Sequence, residues 1–491
     1  MMAPADSAFR EVTMHPPSRT AVPLLPALVA GALVVSAASC TTPPAAEDAP
    51  ARRPSFVYIM ADDLGWADLG SYGQAHIETP RLDRMAAEGI RFTQYYAGST
   101  VCAPSRATLM LGQHTGHVWI RGNGEFPIRT EDVTVAEVLK QAGYATGVVG
   151  KWGLGVEDTE GRPDLQGFDF SYGILHHVYA HRQFAGHLWR NGERVEVSRD
   201  EFVNDLFTEE ALGFIRRRQE EPFFLYLAYT SPHAELRVPE DSAAPYQGRF
   251  EEIPYVNEKA DTDWPRADPR KWSGYRSQPE PRATYAGMVS RIDRDVGRVL
   301  DLLADLDLDD DTVVFFTSDN GPHQEGGHDP HFFPSAEPLR GIKRDMYEGG
   351  IRVPMVVRAP GRVPAGQTSD AIWAHWDVLP TVADLAGAPS PAGVDGISVL
   401  AALEGEATPP ERPPLYWEFH ERGFEQAVRT GKWKAVRHGV NRPLELYDLE
   451  TDLSEAHDVA ARNPEVVARI EEFLATARTE SSFWPLEETS P

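Results

Sequence analysis

Short apolar runs alternate with stretches in which apolar residues recur every three or four positions. Phe56-Val57-Tyr58-Ile59-Met60 is continuously apolar, as expected of a strand buried on both faces. Runs at Ala145–Gly150, Phe223–Tyr229, Thr312–Thr317 and Pro354–Arg358 repeat the pattern. Between them lie helix signals. Thr79-Pro80 supplies an N-cap and a first-turn proline, and Gly89 supplies a stop. Thr134 and Glu137 form a capping-box pattern before a helix that ends near Gly143. Ile292, Val296, Val299 and Leu300 mark one face of a long helix over about 283–303. The alternation predicts an α/β fold, with a large mixed, mostly parallel sheet between helices.

The rhythm changes from about residue 390. Leu415–Phe419, Gln426–Arg429, Trp433–Arg437 and Leu444–Leu449 are short strand-like pieces, followed by a helical stretch over Pro464–Thr476. They predict a smaller antiparallel sheet packed with a terminal helix. The expected organisation is a main domain over 54–389 and a C-terminal subdomain over 390–491. Residues 239–281, rich in proline and charge, predict a long excursion over the face at the strand ends.

The N-terminus reads as an export signal over residues 1–40. Arg10 and Arg19 precede an apolar stretch from Ala21 to Ala38, and small residues lead into Cys40. A small-residue box ending in Cys predicts lipidation of Cys40, although Ala37 stands where Leu or Val is usual; a plain secretory signal or an anchoring helix is the alternative. Residues 41–53 read as a tether. The expected location is periplasmic or cell-surface, with membrane contact only through a lipid anchor, since no later stretch is long and apolar enough to span a bilayer. The net charge of −27 argues against nucleic acid as a partner. It also requires that an anionic substrate be drawn in by a local basic pocket. The two cysteines, Cys40 and Cys102, make no disulfide framework.

Unusual polar residues follow the predicted strands: Asp62-Asp63, Lys151, Ser231-Pro232-His233 and Asp319-Asn320. In open α/β sheets, ligand sites form beyond the carboxyl ends of the strands. Three carboxylates and an amide are oxygen ligands suited to calcium or magnesium, not to zinc or copper. A paired aspartate is also a common turn or helix cap. Two such pairs at matching positions favour the cation.

Cys102-Ala103-Pro104-Ser105-Arg106 opens the segment CAPSRATLMLG over residues 102–112. Here the chain resembles the formylglycine-dependent (type I) sulfatases, whose signature is Cys-x-Pro-Ser-Arg followed by an apolar helix and Gly. The likeness extends to FVYIMADDLGWADLGSYG at 56–73, GYATGVVGKWGLG at 143–155, TSPH at 230–233, VVFFTSDNG at 313–321, LRGIKRDMYEGGIRVP at 339–354 and ELYDLETDLSEAHDVA at 445–460. It implies the alkaline-phosphatase-like fold and sulfuric ester hydrolysis of an aryl or carbohydrate sulfate. It also implies a maturation enzyme that oxidises Cys102 to formylglycine. By the same resemblance, Asp62, Asp63, Asp319 and Asn320 would bind calcium, with magnesium as the alternative, and Cys102 would sit beside the ion. Arg106 would orient the modified side chain, Lys151 and Lys343 would contact sulfate oxygens, and His233 would protonate the leaving alcohol. A hydrated aldehyde carries two hydroxyls on one carbon: one attacks sulfur, and loss of the other's proton releases the sulfate.

One departure is evident. Many family members carry His two residues after the lysine, where this chain has Gly153. His181 is the expected substitute in the site. His176 and His177, in the same loop, read as surface or substrate-pocket residues. His323, His328 and His331 suggest a substrate-facing loop, with metal binding as the alternative, and Trp66, Trp152 and Trp189 suggest core packing ahead of a sugar or aryl pocket. Two rivals remain open at this level: a phosphodiesterase or phosphonate monoester hydrolase of the same superfamily, and a non-catalytic binding lipoprotein.

Overall fold

A computed structural model describes residues 53–124, 126–263, 273–406 and 411–486. The expected export signal, Cys40 and the tether before Arg53 lie outside the described residues. Among the described residues, no helix is long and apolar enough to cross a membrane.

An eleven-stranded sheet carries the fold. Its strands are β1 (Ser55–Asp62), β2 (Ile90–Tyr96), β3 (Ala145–Lys151), β4 (Phe170–Ile174), β5 (His187–Arg190), β6 (Glu193–Glu196), β7 (Phe223–Pro232), β8 (Thr312–Ser318), β9 (Arg352–Arg358), β10 (Gln367–Ser369) and β11 (Trp373–Ala374). The order is β10-β2-β9-β8-β1-β7-β3-β4-β5-β6, with β11 also on β2. The centre, from β8 through β1, β7 and β3 to β4, is parallel. β9 runs antiparallel to β8 and β2. The sheet is therefore mixed and mostly parallel at its heart, as the alternation predicts.

β1 is buried on both faces because its alternate residues feed two cores. Val57, Ile59 and Ala61 join one, packed by the helices Val203–Arg218 and Pro281–Asp305. Phe56, Tyr58 and Met60 join the other, packed by the helices Cys102–Leu111, Val135–Gln141 and Val378–Ala386. The predicted capping box is present: Thr134 accepts from the Glu137 amide, and Glu137 accepts from the Thr134 amide.

A second, antiparallel sheet comprises β12 (Leu415–Phe419), β13 (Glu425–Thr430), β14 (Trp433–His438) and β15 (Glu445–Asp448). Trp417, Phe419, Ala427 and Val436 pack on Tyr96, Met346, Ile351 and Trp376 from the part of the chain that carries the larger sheet. Its other face covers Val466, Ile470 and Leu474 of the terminal helix Pro464–Leu474. The seam also buries charge: Lys434 bridges Glu348 at 3.0 Å and Glu455 at 3.2 Å, with Arg352 3.2 Å from Glu348.

Candidate active site

The central strands end on one edge, and their exits carry the chemistry. The chain leaves β1 through Asp63 at φ +66°, an uncommon conformation for a residue with a Cβ. The adjacent carboxylates take different partners. Asp62 Oδ2 accepts from Lys151 Nζ at 2.7 Å, and Oδ1 lies 3.4 Å from Cys102 Sγ and 3.6 Å from Arg106 Nη2. Asp63 Oδ2 accepts from Lys343 Nζ at 2.6 Å, and Oδ1 accepts from Asn320 Nδ2 at 2.7 Å. The exits of β1 and β8 are tied by the Asp63 amide, which donates to Asp319 Oδ1 at 3.0 Å.

Cys102 occupies the first turn of the helix Cys102–Leu111, one turn ahead of Arg106. Arg106 donates to Asp319 Oδ2 through Nε at 3.0 Å and Nη2 at 2.7 Å, the two-pronged geometry for which guanidinium is suited. Its Nη1 holds the Lys151 carbonyl at 3.0 Å. Thus Asp62, Asp63, Cys102, Arg106, Lys151, His233, Asp319, Asn320 and Lys343 are all buried around one point. Burial pushes the Cys102 thiol well above its ordinary pKa, although Lys151 and Lys343 pull the other way. Burial opposes the charge on Lys343, but Asp63, Cys102, Glu325 and Tyr275 together hold its pKa well above the ordinary value.

The donor set fits a hard divalent cation. Asp62, Asp63, Cys102 and His233 present ligand atoms all within 4.8 Å of one another. Asn320 Oδ1 is buried beside them without a hydrogen-bond partner. The carboxylates of Asp62, Asp63 and Asp319 are balanced by Arg106, Lys151 and Lys343, so a divalent cation would leave the pocket positive. That is the local reversal of the −27 field that an anionic substrate requires.

His233 follows β7 on the other side of Lys343. Its Nδ1 hydrogen-bonds the Ala234 carbonyl, which can only accept, so Nδ1 carries the proton. Nε2 then faces Lys343 Nζ at 3.0 Å and Asp63 Oδ2 at 3.3 Å. His181 stacks on this ring, with centroids 4.2 Å apart and planes 14° apart, so the loop does bring it to the site. Burial, with His233 next to it, pushes His181 well below its ordinary value.

His176 and His177 sit beside Gly153, lining a small pocket with Phe126 and Leu175. Within the loop that brings Glu325 to His233 and Lys343, the His323 and His328 side chains themselves turn inward. His323 is buried with Nε2 3.2 Å from the Pro232 carbonyl, and His328 stacks on Tyr285 at 3.6 Å. Aromatic neighbours draw these imidazoles inward, and only His331 stays exposed. Trp152 is core, its N–H donating to the Gly161 carbonyl at 2.7 Å.

Several site residues carry no sequence signal of their own. Glu325 Oε2 accepts from Tyr275 at 2.6 Å and lies 3.7 Å from His233 Nε2 and 3.8 Å from Lys343 Nζ. Tyr275 belongs to the 239–281 excursion and packs on both His233 and His181, which places that part of the excursion over the site. Arg344 Nη1 donates to Glu325 Oε1 at 2.6 Å.

Fold and site together define a hydrolase of anionic esters, and comparison with known proteins specifies the class. The chain belongs to the sulfatase family: the family model described as Sulfatase matches residues 54–388, and that described as N-sulphoglucosamine sulphohydrolase, C-terminal, matches 342–480. The N-acetylgalactosamine-6-sulfatase of Canis lupus familiaris is 33% identical over 420 residues, spanning 78% of this chain and 71% of its own. The N-acetylgalactosamine-6-O-sulfatase of Bacteroides thetaiotaomicron is 29% identical over 517 residues, spanning 87% and 94%. The crystal structure of Ps i-CgsB in complex with k-i-k-neocarrahexaose superposes with a TM-score of 0.75 at 30% identity, covering 89% of this chain and 95% of that one. The protein is an enzyme of this family, whose reaction is sulfate ester hydrolysis.

Proposed function

We propose that the protein releases inorganic sulfate from a sulfated carbohydrate, using a formylglycine made from Cys102 beside a calcium ion held by Asp62, Asp63, Asp319 and Asn320. One observation carries the reading. The Cys102 sulfur lies 3.4 Å from Asp62 in a buried nest that also holds Lys151 and Lys343. When hydrated, formylglycine supplies a geminal diol, one hydroxyl of which is the nucleophile. Calcium supplies positive charge at the sulfuryl oxygens. The remaining work falls to the chain's own side chains. Arg106, pinned by Asp319, holds the first turn of the Cys102 helix against the carboxylates. Lys151 and Lys343 turn their ammonium groups from Asp62 and Asp63 towards sulfate oxygens, stabilising charge that grows in the transition state. His233, with Nδ1–H committed to a carbonyl, directs Nε2 at the leaving oxygen and relays to it a proton taken from Lys343 Nζ. His181 backs that ring.

The sulfated-sugar reading is supported by the names of the curated relatives. Those names do not favour the phosphodiesterase alternative. In this reading the chain is exported and meets its maturation enzyme before or during export. The test is side-by-side kinetics on a sugar sulfate, an aryl sulfate and an aryl phosphodiester. Preferred turnover of the sulfate esters is expected; a strong preference for the phosphodiester would overturn the proposal.

A further inference from the structure

The nest around Cys102 is closed, and a partly exposed polar group drawn from distant parts of the chain adjoins it. Arg344 belongs to that group, next to Lys343, with φ +75°. A non-glycine residue held there carries a conformational cost that the surroundings must impose. Here the Arg344 amide is tied to the Thr100 carbonyl at 3.0 Å. The guanidinium then spans two carboxylates. Nη1 reaches Glu325 Oε1 at 2.6 Å, and Nε lies 3.5 Å from Glu421 Oε2. Glu421 comes from the turn between β12 and β13 of the small sheet, and its Oε1 accepts the Asn123 amide at 3.0 Å. Asn123 in turn accepts the Ala103 amide, one residue from Cys102, at 3.1 Å. In contrast to the buried nest, the side chains of Glu325, Arg344 and Glu421 are 18%, 27% and 26% exposed.

We propose that Glu325, Arg344 and Glu421 form a carbohydrate-binding rim, which holds the sulfated ring through its hydroxyl groups. This rests on the reading above, in which Lys343 and His233 touch the sulfate ester. Glu325 Oε2 lies 3.7 and 3.8 Å from those two groups. A ring substituent meeting Glu325 is therefore a near neighbour of the ester-bearing carbon. Two carboxylates flanking one guanidinium leave unshared acceptor lone pairs and spare N–H donors on adjacent atoms. Sugar hydroxyls, which donate and accept on neighbouring carbons, match that pattern. The corresponding positions of a simple aryl sulfate are C–H groups and offer it nothing. A second anionic group beside the ester would face Glu325 and Glu421, so the rim selects neutral neighbours. Because Glu421 lies in a turn of the small sheet, specificity is shared between the two sheets.

The experiment compares kcat and KM of the mature, cation-loaded enzyme on galactose 3-, 4- and 6-sulfates and on 4-nitrophenyl sulfate. The variants are Arg344→Asn, which tolerates the left-handed backbone, and Glu421→Gln, which keeps an acceptor for Asn123. The ratio of kcat/KM for the best sugar sulfate to that for the aryl sulfate is expected to fall at least ten-fold in each, mainly through KM. An unchanged ratio, whether both activities persist or both fall together, would overturn the rim. A wild-type enzyme inactive on every sulfate ester would overturn the reading beneath it, and the rim with it.

Discussion

Lys343 Nζ and His233 Nε2 are 3.0 Å apart, with the opposite imidazole nitrogen bonded to the Ala234 carbonyl. An ammonium thus faces the nitrogen that must hand a proton to the leaving group. Burial first, then Lys343 and Lys151, pushes His233 well below its ordinary value, so the ring rests neutral and the proton it passes on comes through the Lys343 ammonium. His233→Ala is expected to lower kcat on a sugar sulfate by about 100-fold or more. The loss on 4-nitrophenyl sulfate should be much smaller, because nitrophenolate leaves without a proton. Steady-state kinetics on the two esters check this, and equal losses would rule out the acid role.

Arg106 is fully buried and holds Asp319 at two points. Removing it leaves a buried carboxylate without its main counter-charge. Arg106→Met is expected to destabilise the fold by about 3–5 kcal/mol. Arg106→Lys should recover little, because an ammonium cannot make the two-pronged contact. Urea unfolding of the two variants measures both effects.

Cation binding by the Asp62, Asp63, Asp319 and Asn320 set stabilises the native state by mass action. Calcium at about 100 times its Kd is expected to add about 2.7 kcal/mol, seen as a rise in Tm that chelation reverses. Asn320→Ala removes the orphaned carbonyl oxygen together with the Nδ2 donor to Asp63, so it should weaken calcium binding in calorimetry and also lower the unloaded Tm. A calcium-independent Tm in the wild type would count against the ligand set.

The seam between the sheets carries a pH dependence. Burial pushes Glu455 up to about 7, despite Lys434 next to it. The folded state therefore keeps a proton that the unfolded chain gives up near the ordinary carboxylate value of 4.5. Its contribution is fully present below that value and is lost as pH rises towards 7. Glu348 behaves oppositely: burial opposes its charge, but Lys434 and Arg352 hold it down, so its contribution is lost only in strong acid. Glu455→Gln preserves the acceptor for the Glu348 amide, which sits 2.7 Å from Glu455 Oε2. The variant should gain about 1–3 kcal/mol relative to wild type between pH 5 and pH 8. Denaturant unfolding at the two pH values checks the sign.

The central strands were legible because burial on both faces leaves continuous apolar runs, as in Phe56–Met60 and Phe223–Tyr229. The site was legible because each group directly follows such a run or lies in a distinctive motif. The hairpin of β5 and β6 went unread, although Asn191-Gly192 supplies the turn, with φ +50° and +80°. Its strands are short and half exposed, so the apolar alternation is faint. The helix Val203–Arg218 was also missed: its first turn has no side-chain cap, and Thr208, Glu209 and Glu210 interrupt its apolar face. Glu325 and Glu421 could not be found because nothing local distinguishes them from surface glutamates. Their meaning comes from Arg344, which only the tertiary fold places between them. His328 misled for the converse reason: a histidine in a Gly-rich loop reads as exposed, whereas Tyr285 stacks it into the core.

Mass spectrometry of the peptide spanning Cys102, taken from enzyme matured in its native host, bears most directly on the chemistry. The thiol is expected to be replaced by an aldehyde, with specific activity proportional to the oxidised fraction and absent in Cys102→Ala. Full sulfatase activity from a preparation in which Cys102 remains an intact thiol would contradict it.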